Sequence, residues 1–346
     1  MEVKGYGSKR VNVKTENGDL MKIEILAMLR NTETYLSGQE ICNYFGVSRT
    51  AIWKHMNALK EEGYEIETLK NKGYKLVSCP DTLSNDEISS RLHTKYIGKN
   101  LVYHEETDST NIDAKRMAEE GAPHGTLIVA NMQRTGRGRR GREWQSPAGE
   151  AVYMSILLRP SFDPDKASML TLVMALSVGK AIKSMCQEPI SIKWPNDVIM
   201  NGKKVCGILT EMNAETGYIH YVVIGVGINV NTTQFQDDIE GIATSLFLET
   251  GNKVIRAELA EKIITNFELY YDIFCETEDL SKLQQEYCAL LITKDCAVKV
   301  MDPKGDFQGI ARGINEVGEL LVEKEDGEVV KVYSGEVSVR GLYGYV

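Results

Sequence analysis

Seven consecutive residues, Gly136-Arg137-Gly138-Arg139-Arg140-Gly141-Arg142, interleave the most basic side chain with the residue that has none. Glycine inside a helix or strand costs roughly 0.5–1 kcal/mol relative to alanine, and adjacent guanidiniums repel, so neither element accounts for the run. Arginine offers a planar fork of donors that fits carboxylate and phosphate oxygens two at a time. Glycines let backbone amides reach the same anion. A loop that stays mobile until an anion arrives is therefore expected. Trp144 and the turn Ser146-Pro147-Ala148-Gly149 come next, setting a flat apolar surface beside the anion site. Arg/Gly tracts that coat nucleic acid run as long repeats, whereas this one is single and lies between apolar runs.

More polar groups sit at the ends of apolar strands. Strand Leu101–His104 leads to Ser109-Thr110-Asn111, small side chains at a helix start that can hydrogen-bond a small polar ring or simply cap the helix. Strand Thr126–Ala130 delivers Gln133 and then the arginine loop; strand Val152–Leu158 leaves it. In Ile192-Lys193-Trp194-Pro195-Asn196-Asp197-Val198 a strand donates Lys193, proline breaks it, and Asn196 and Asp197 protrude. A hairpin turning at Asn201-Gly202 continues through Lys203–Glu211, bringing Lys204 and Gly207. Tyr221 to Asn231 reads as a fully buried strand, with Gly225 and Gly227 where a ligand or another backbone must come close. There is no Walker A loop and no H-E-x-x-H, and the five histidines are dispersed without an evident triad.

The elements that must position these groups need more than one domain. At 346 residues, two or three are expected. The net charge of −9 argues against coating nucleic acid, so any DNA contact must be a local patch. Seven cysteines, odd in number and without a C-x-x-C, fit reduced cytoplasmic thiols rather than disulfides or a zinc site. The most apolar stretch, Met169 to Val178, is too short to span a bilayer and belongs to an expected buried helix from Lys166 to Cys186, so no membrane association is expected.

Residues 1–21 are polar and aperiodic, a tail. From residue 22 to 78 the pattern is that of a winged helix-turn-helix. One helix carries Ile25, Met28 and Leu29. A second is capped by Ser37 with Glu40 in its first turn and ends at Gly46. A third is capped by Ser48 and faces Ile52, Met56 and Leu59 inward, showing Arg49, Thr50 and Lys54 outward. A hairpin then turns at Lys70-Asn71-Lys72-Gly73, whose Lys70 and Lys72 form a basic wing tip. DNA contact is expected from Ser48, Arg49, Thr50, Lys54, Lys70 and Lys72. Residues 22–78 hold eight Lys/Arg against seven Asp/Glu, so one copy should bind phosphate weakly and two are needed. A protein-binding winged helix is the alternative.

After a linker at Cys79-Pro80-Asp81 and a helix from Ser84 through Leu92, the segment 84–291 holds the chemistry and ends in two amphipathic helices, 259–274 and 280–291. Short strands over 295–346 form a small barrel. In order, Ser109-Thr110-Asn111, Gln133 with the arginine loop, Lys193-Trp194-Pro195-Asn196-Asp197, Lys204 to Ile208, and Gly225-Val226-Gly227-Ile228-Asn229 resemble the biotin–protein ligases. With the winged helix in front, the chain is similar to the bifunctional ligases that also repress biotin genes. The likeness covers about residues 22 to 346 and departs from the family in the N-terminal extension and in Val152, where leucine is commoner.

The resemblance implies a multidomain α/β chain: a winged helix-turn-helix, a central α+β domain of the biotin/lipoate ligase type, and an SH3-like barrel. That barrel is open to two roles, a lid or a support for the protein substrate. It implies ATP-dependent formation of biotinyl-5′-AMP, transfer to a lysine of a biotin carboxyl carrier protein, operator binding, a homodimer when the adenylate is bound, and Mg²⁺ accompanying ATP through ligands that cannot be named. A carboxylate joins an amine only after activation, and Arg137, Arg139 and Lys193 would offset the repulsion between it and the triphosphate. Asp197 would orient or accept the proton of the attacking amine, although a turn-capping role fits it equally. Biotin would be lined by Ser109, Thr110, Asn111, Gln133, Arg137, Gly138, Arg139, Lys204 and Gly207. The nucleotide would meet Arg139, Arg140, Arg142, Trp144, Asn196 and Asn229. A repressor that has lost catalysis and a lipoate or octanoate ligase remain as alternatives; retention of both Lys193 and Asp197 favours the enzyme.

Overall fold

The computed structural model describes residues 17–237, 239–302, 305–334 and 338–341. They form two compact units divided after Pro80. Most of the expected tail lies outside the described residues, but its last five residues belong to helix α1, Asn17–Arg30. Met21 packs on the same core as Ile25 and Leu29, one and two turns on, which extends the helix past its expected start.

The first unit continues with α2, Gly38–Phe45, and α3, Arg49–Glu61. Both bonds of the Ser37–Glu40 capping box are made, and Gly46 closes α2 in the left-handed region at φ 66°. Ser48 Oγ accepts from Ala51 N–H at 3.3 Å, starting α3. Ile41, Ile52, Met56 and Leu59 are buried against α1. The wing pairs β1, Glu65–Leu69, with β2, Gly73–Ser78. Leu36 joins its edge by exchanging backbone bonds of 2.8 and 2.9 Å with Tyr74. A side chain at Gly73 would sit 2.0 Å from the Leu36 carbonyl, so only glycine permits that contact.

The second unit is built on seven strands: β3 (Leu101–Thr107), β4 (Thr126–Gln133), β5 (Ala151–Leu158), β6 (Ile190–Lys193), β7 (Asp197–Met200), β8 (Lys203–Glu215) and β9 (Tyr218–Asn229). Their order is β3-β4-β5-β9-β8-β7-β6, antiparallel except for the β3/β4 pair. Every residue of β5 is buried, as a central strand covered on both faces requires. Val152, Met154 and Ile156 face the main core, which places the Val152 departure away from the opposite, site-bearing face. On that opposite face Leu157 packs with Ala114 and Ala118 of α5, Thr110–Glu119.

The main core is closed by α6 (Leu170–Met185) and α8 (Arg256–Thr277). By length and composition, 164–185 is helical and apolar enough to cross a membrane, longer than the stretch Met169–Val178 suggested. Here it is a core helix, buried from Leu170 through Ile182 at nearly every position. Ile263, Phe267 and Phe274 of α8 are fully buried, each stabilising the fold by about 1.5–3 kcal/mol. The helix expected from Ser84 shrinks to α4, Asn85–Ser89; α7 is Leu246–Thr250, and α9 spans only Gln284–Leu290.

Five antiparallel strands end the chain: β10 (Ala297–Met301), β11 (Phe307–Ile314), β12 (Leu320–Glu323), β13 (Val329–Val332) and β14 (Ser338–Gly341), in the order β13-β12-β11-β10-β14. This is the small barrel-like sheet expected over 295–346; part of its expected turn 302–305 and its last residues lie outside the described residues. Val298, Ala311, Leu320 and Val322 join the main core. Trp194 Nε1 donates to the Gly318 carbonyl at 3.1 Å, tying this sheet to the turn that carries Lys193.

Candidate active site

The site lies on the α5 face of the sheet, and glycines make its floor. Gly207 of β8 and Gly227 of β9 are paired across the sheet, as are Leu209 and Gly225. Two side chains, rather than another backbone, come close to the two β9 glycines. A Cβ on Gly225 would lie 2.1 Å from Asn111 Oδ1, and one on Gly227 would lie 2.5 Å from Trp144 Nε1. Both positions need glycine because Asn111 and Trp144 lie flat on the strands. Gly227→Ala should therefore lift the indole into water and shift its emission to the red; unchanged emission would show that Trp144 does not rest there.

One end of the pocket is neutral and polar. Ser109 starts α5 without making a side-chain cap, so its hydroxyl is left for the pocket. Thr110 N–H donates to Gln133 Oε1 at 3.0 Å, and Gln133 Nε2 donates to Ser146 Oγ at 2.9 Å. Behind them Ser155 Oγ lies 2.7 Å from Thr110 Oγ1 and donates to Asn111 Oδ1 at 2.6 Å. Asn111 Nδ2 donates to Glu211 Oε2 at 2.8 Å, and Lys115 Nζ reaches Glu211 Oε1 at 2.5 Å. Ser155, Glu211 and Lys115 escaped the sequence reading. The available signals were a lone serine within the apolar run Val152–Leu158 and an alternating strand whose pocket face ends in glutamate.

The other end is cationic. The arginine run, expected as a mobile loop, is drawn into a tight hairpin closed by Gly138 N–H to Arg142 O at 2.7 Å and Trp144 N–H to Gly136 O at 2.9 Å. At its tip Arg140 and Gly141 are left-handed, at φ 59° and 71°. Arg139 is half-buried and holds the hairpin down, donating to Asn196 Oδ1 at 2.9 Å and to the Ser334 carbonyl at 2.6 Å. Burial pushes the pKa of its guanidinium down, Asp197 opposes this, and Arg140 and Arg142 add to the depression. A cation so placed has much to gain from an incoming anion.

Lys193 and Asp197 face each other across the β6/β7 hairpin, whose turn contains a cis bond at Trp194–Pro195. Lys193 is buried. Asp197 Oδ1 lies 2.6 Å from Lys204 Nζ, and that ammonium stands 5.3 Å from the centre of the Trp144 ring. Ser109, Thr110, Asn111, Gln133, Arg137, Gly138, Arg139, Trp144, Asn196, Lys204 and Gly207 thus meet at one pocket. Lys193, Asp197, Arg140 and Arg142 are not among the residues that line it, and Arg140 and Arg142 are exposed on the hairpin. Asn229 is buried, with Nδ2 donating to Thr244 O at 3.1 Å. Among the described residues no three His, Cys, Asp or Glu side chains gather so as to hold a metal.

Comparison with known proteins gives this arrangement its relatives. The model of the biotin/lipoate A/B protein ligase family matches residues 103–229, an HTH domain model matches 22–75, and the biotin protein ligase C-terminal domain matches 297–340. The bifunctional ligase/repressor BirA of Bacillus subtilis is 41% identical over 320 residues, covering 92% of this chain and 97% of that protein. Its Escherichia coli counterpart is 31% identical over 321 residues, with the same coverage. The chain belongs to the bifunctional biotin ligase/repressor family. Among solved structures, the biotin protein ligase of Aquifex aeolicus in complex with biotin and ATP is similar at a TM-score of 0.62 and 33% identity, over 70% of this chain and 99% of that one.

A bifunctional ligase/repressor needs a second surface, and the first unit offers it. Arg49, Thr50 and Lys54 are exposed on α3, and Lys70 and Lys72 on the wing tip. Arg49 is braced by Gln39 Oε1 at 2.8 Å, and Ser48 commits its hydroxyl to the helix cap. Trp53, 56% exposed on α3 beside Thr50 and Lys54, was missed because an aromatic in a helix was assigned to no face.

Proposed function

We propose that this pocket takes biotin at its neutral polar end and the reacting carboxylate and phosphates at its cationic end. The observation that carries this is the single cavity joining Thr110 and Gln133 to Arg137, Arg139 and Lys204. The chain is a biotin–protein ligase using biotin and ATP, and a transcriptional repressor. In the first step a biotin carboxylate oxygen attacks the α-phosphorus, the bond to the β-phosphate breaks, and pyrophosphate leaves. Arg137, Arg139 and Lys193 neutralise the opposed anions, while Arg140 and Arg142, exposed on the hairpin, reach toward the phosphates. Trp144 and Asn196 border the nucleotide, and Asn229 keeps its Oδ1 to accept from the purine. Among the described residues no carboxylate cluster gathers to hold a metal, so Mg²⁺ accompanying ATP would be held mainly by the phosphates and would offset their charge beside Arg137, Arg139 and Lys193.

In the second step a carrier lysine attacks the acyl carbon, forming the amide, and AMP leaves. Asp197 is engaged through Oδ1 by Lys204 at 2.6 Å, which keeps that carboxylate oxygen from the attacking amine. It becomes available to the amine when Lys204 turns to the bound carboxylate. The same adenylate serves as corepressor: it drives two chains together in the cytoplasm, so that two copies of α3 and its wing, with Arg49, Thr50, Trp53, Lys54, Lys70 and Lys72, meet a pseudo-palindromic operator. The acceptor is a biotin carboxyl carrier protein, and the controlled genes serve biotin synthesis or transport.

The test uses purified protein and a labelled operator. Biotin with ATP should raise operator affinity by about tenfold or more, equivalent to about 1.4 kcal/mol. Removal of residues 1–78 should end DNA binding and leave biotin transfer to the carrier intact. Operator binding indifferent to biotin and ATP would sink the coupling, and ligation lost with the deletion would sink the division of labour.

A further inference from the structure

The polar end of the pocket is backed by a chain of hydrogen bonds that leads out to a half-exposed ion pair. It runs from Lys115 to Glu211, Asn111, Ser155 and Thr110. Its members differ in what they can do. A lysine ammonium only donates, a carboxylate facing it only accepts, and an amide or hydroxyl does either according to how it is turned.

That asymmetry fixes every proton in turn. Glu211 accepts from Asn111 at 2.8 Å, so the amide nitrogen must face it and Oδ1 must face Ser155. A contact of 3.4 Å from Nδ2 to the Leu209 carbonyl points the same way, but it is long and uncharged. Ser155 has one proton, and the 2.6 Å bond to Asn111 Oδ1 uses it. At the 2.7 Å contact between hydroxyls, Thr110 must therefore be the donor. The alternative acceptor for the Thr110 proton, Gln133 Oε1, is farther at 3.2 Å and is shared with the Thr110 backbone N–H at 3.0 Å, so the 2.7 Å contact to Ser155 is the stronger one. Thr110 is left presenting lone pairs to the pocket it lines.

We infer that Glu211 is a positioning residue that sets the direction of hydrogen bonding at this end of the pocket, and so its preference for a ligand that offers N–H groups, as a cyclic urea does. This rests on the reading that the end nearest Thr110 receives the ring of biotin. Glu211 touches no ligand; it works through Asn111 and Ser155. Lys115 gives the device its sharpest test. In Glu211→Gln the amide oxygen is drawn to the Lys115 ammonium, and its NH₂ then faces Asn111. Asn111 has to turn its oxygen outward, Ser155 becomes an acceptor from Asn111, and its proton points at Thr110. The Thr110 proton is then displaced toward the pocket, with no change of shape. Removing the ammonium as well frees the glutamine to present its oxygen to Asn111 again.

Biotin-dependent ATP–pyrophosphate exchange on the full chain reads this out. Glu211→Gln should raise the KM for biotin about tenfold or more, with kcat and the KM for ATP within about threefold of the parent. Lys115→Met/Glu211→Gln should bring the KM for biotin back to within about threefold of the parent, which a merely structural role would not do. An unchanged KM in Glu211→Gln, or a double variant no better than the single one, overturns the inference. Thr110→Val in the same assay keeps the two levels apart. If Thr110→Val raises the KM for biotin and Glu211→Gln does not, only the positioning role falls. If Thr110→Val leaves it unchanged, the ring does not bind there and the inference falls with that reading.

Discussion

Adenylate formation by a Lys193→Ala protein is expected to fall by roughly 10²–10³-fold, the scale seen when one preorganised donor to a developing charge is removed. Lys193 ends β6 with 7% of its surface exposed, opposite Asp197 and next to the turn that supplies Asn196 to the pocket. A lysine is buried at that cost only where a negative charge is held or awaited. Its companion in the hairpin, Asp197, also lies 2.6 Å from Lys204 Nζ. Lys193→Met keeps the buried stem without the ammonium and separates lost charge from lost packing. Near-normal pyrophosphate exchange in either folded variant would remove Lys193 from the chemistry.

Arg139→Gly should weaken retention of the adenylate more than its synthesis. The half-buried guanidinium is the clamp between the arginine hairpin, Asn196 and the Ser334 carbonyl. Without it the hairpin keeps its own backbone bonds but loses its anchor, and the site opens to water. A mixed anhydride needs no further catalysis to meet an amine. Adenylate dissociation should accelerate by about tenfold or more, and biotin should appear on an inert bystander such as an albumin. A variant that releases adenylate no faster than the parent and labels nothing extra would show that the hairpin is not a lid.

Most strands of the second unit, and the motifs whose residues line the pocket, were legible in the sequence because each motif pairs a strand end with an unusual residue: an arginine run, a proline-broken strand, a glycine-spaced strand. The capping box of α2 and the wing were legible for the same local reason. What was not legible depends on contacts distant in the chain. The run 136–142 looks mobile by composition, and only Asn196 and Ser334, 57 and 195 residues from Arg139, reveal it as anchored. Gly225 and Gly227 announce a close approach, yet the sequence does not say that Asn111 and Trp144 make it. Asp197 looks like a free carboxylate until β7 and β8 set Lys204 beside it. Ser155 and Glu211 matter only through Asn111, so neither has a motif of its own.

If the neutral end of the pocket receives the biotin ring, biotin and its nearest competitors should differ most there. Octanoate has no polar ring for Thr110 and Gln133, and lipoate carries a disulfide ring without N–H donors. The measurement that bears most directly on the central claim is therefore ATP–pyrophosphate exchange by the full chain with biotin, lipoate and octanoate in parallel. Exchange that depends on biotin alone is the expected result; exchange driven equally well by lipoate or octanoate, or none with biotin, would contradict it.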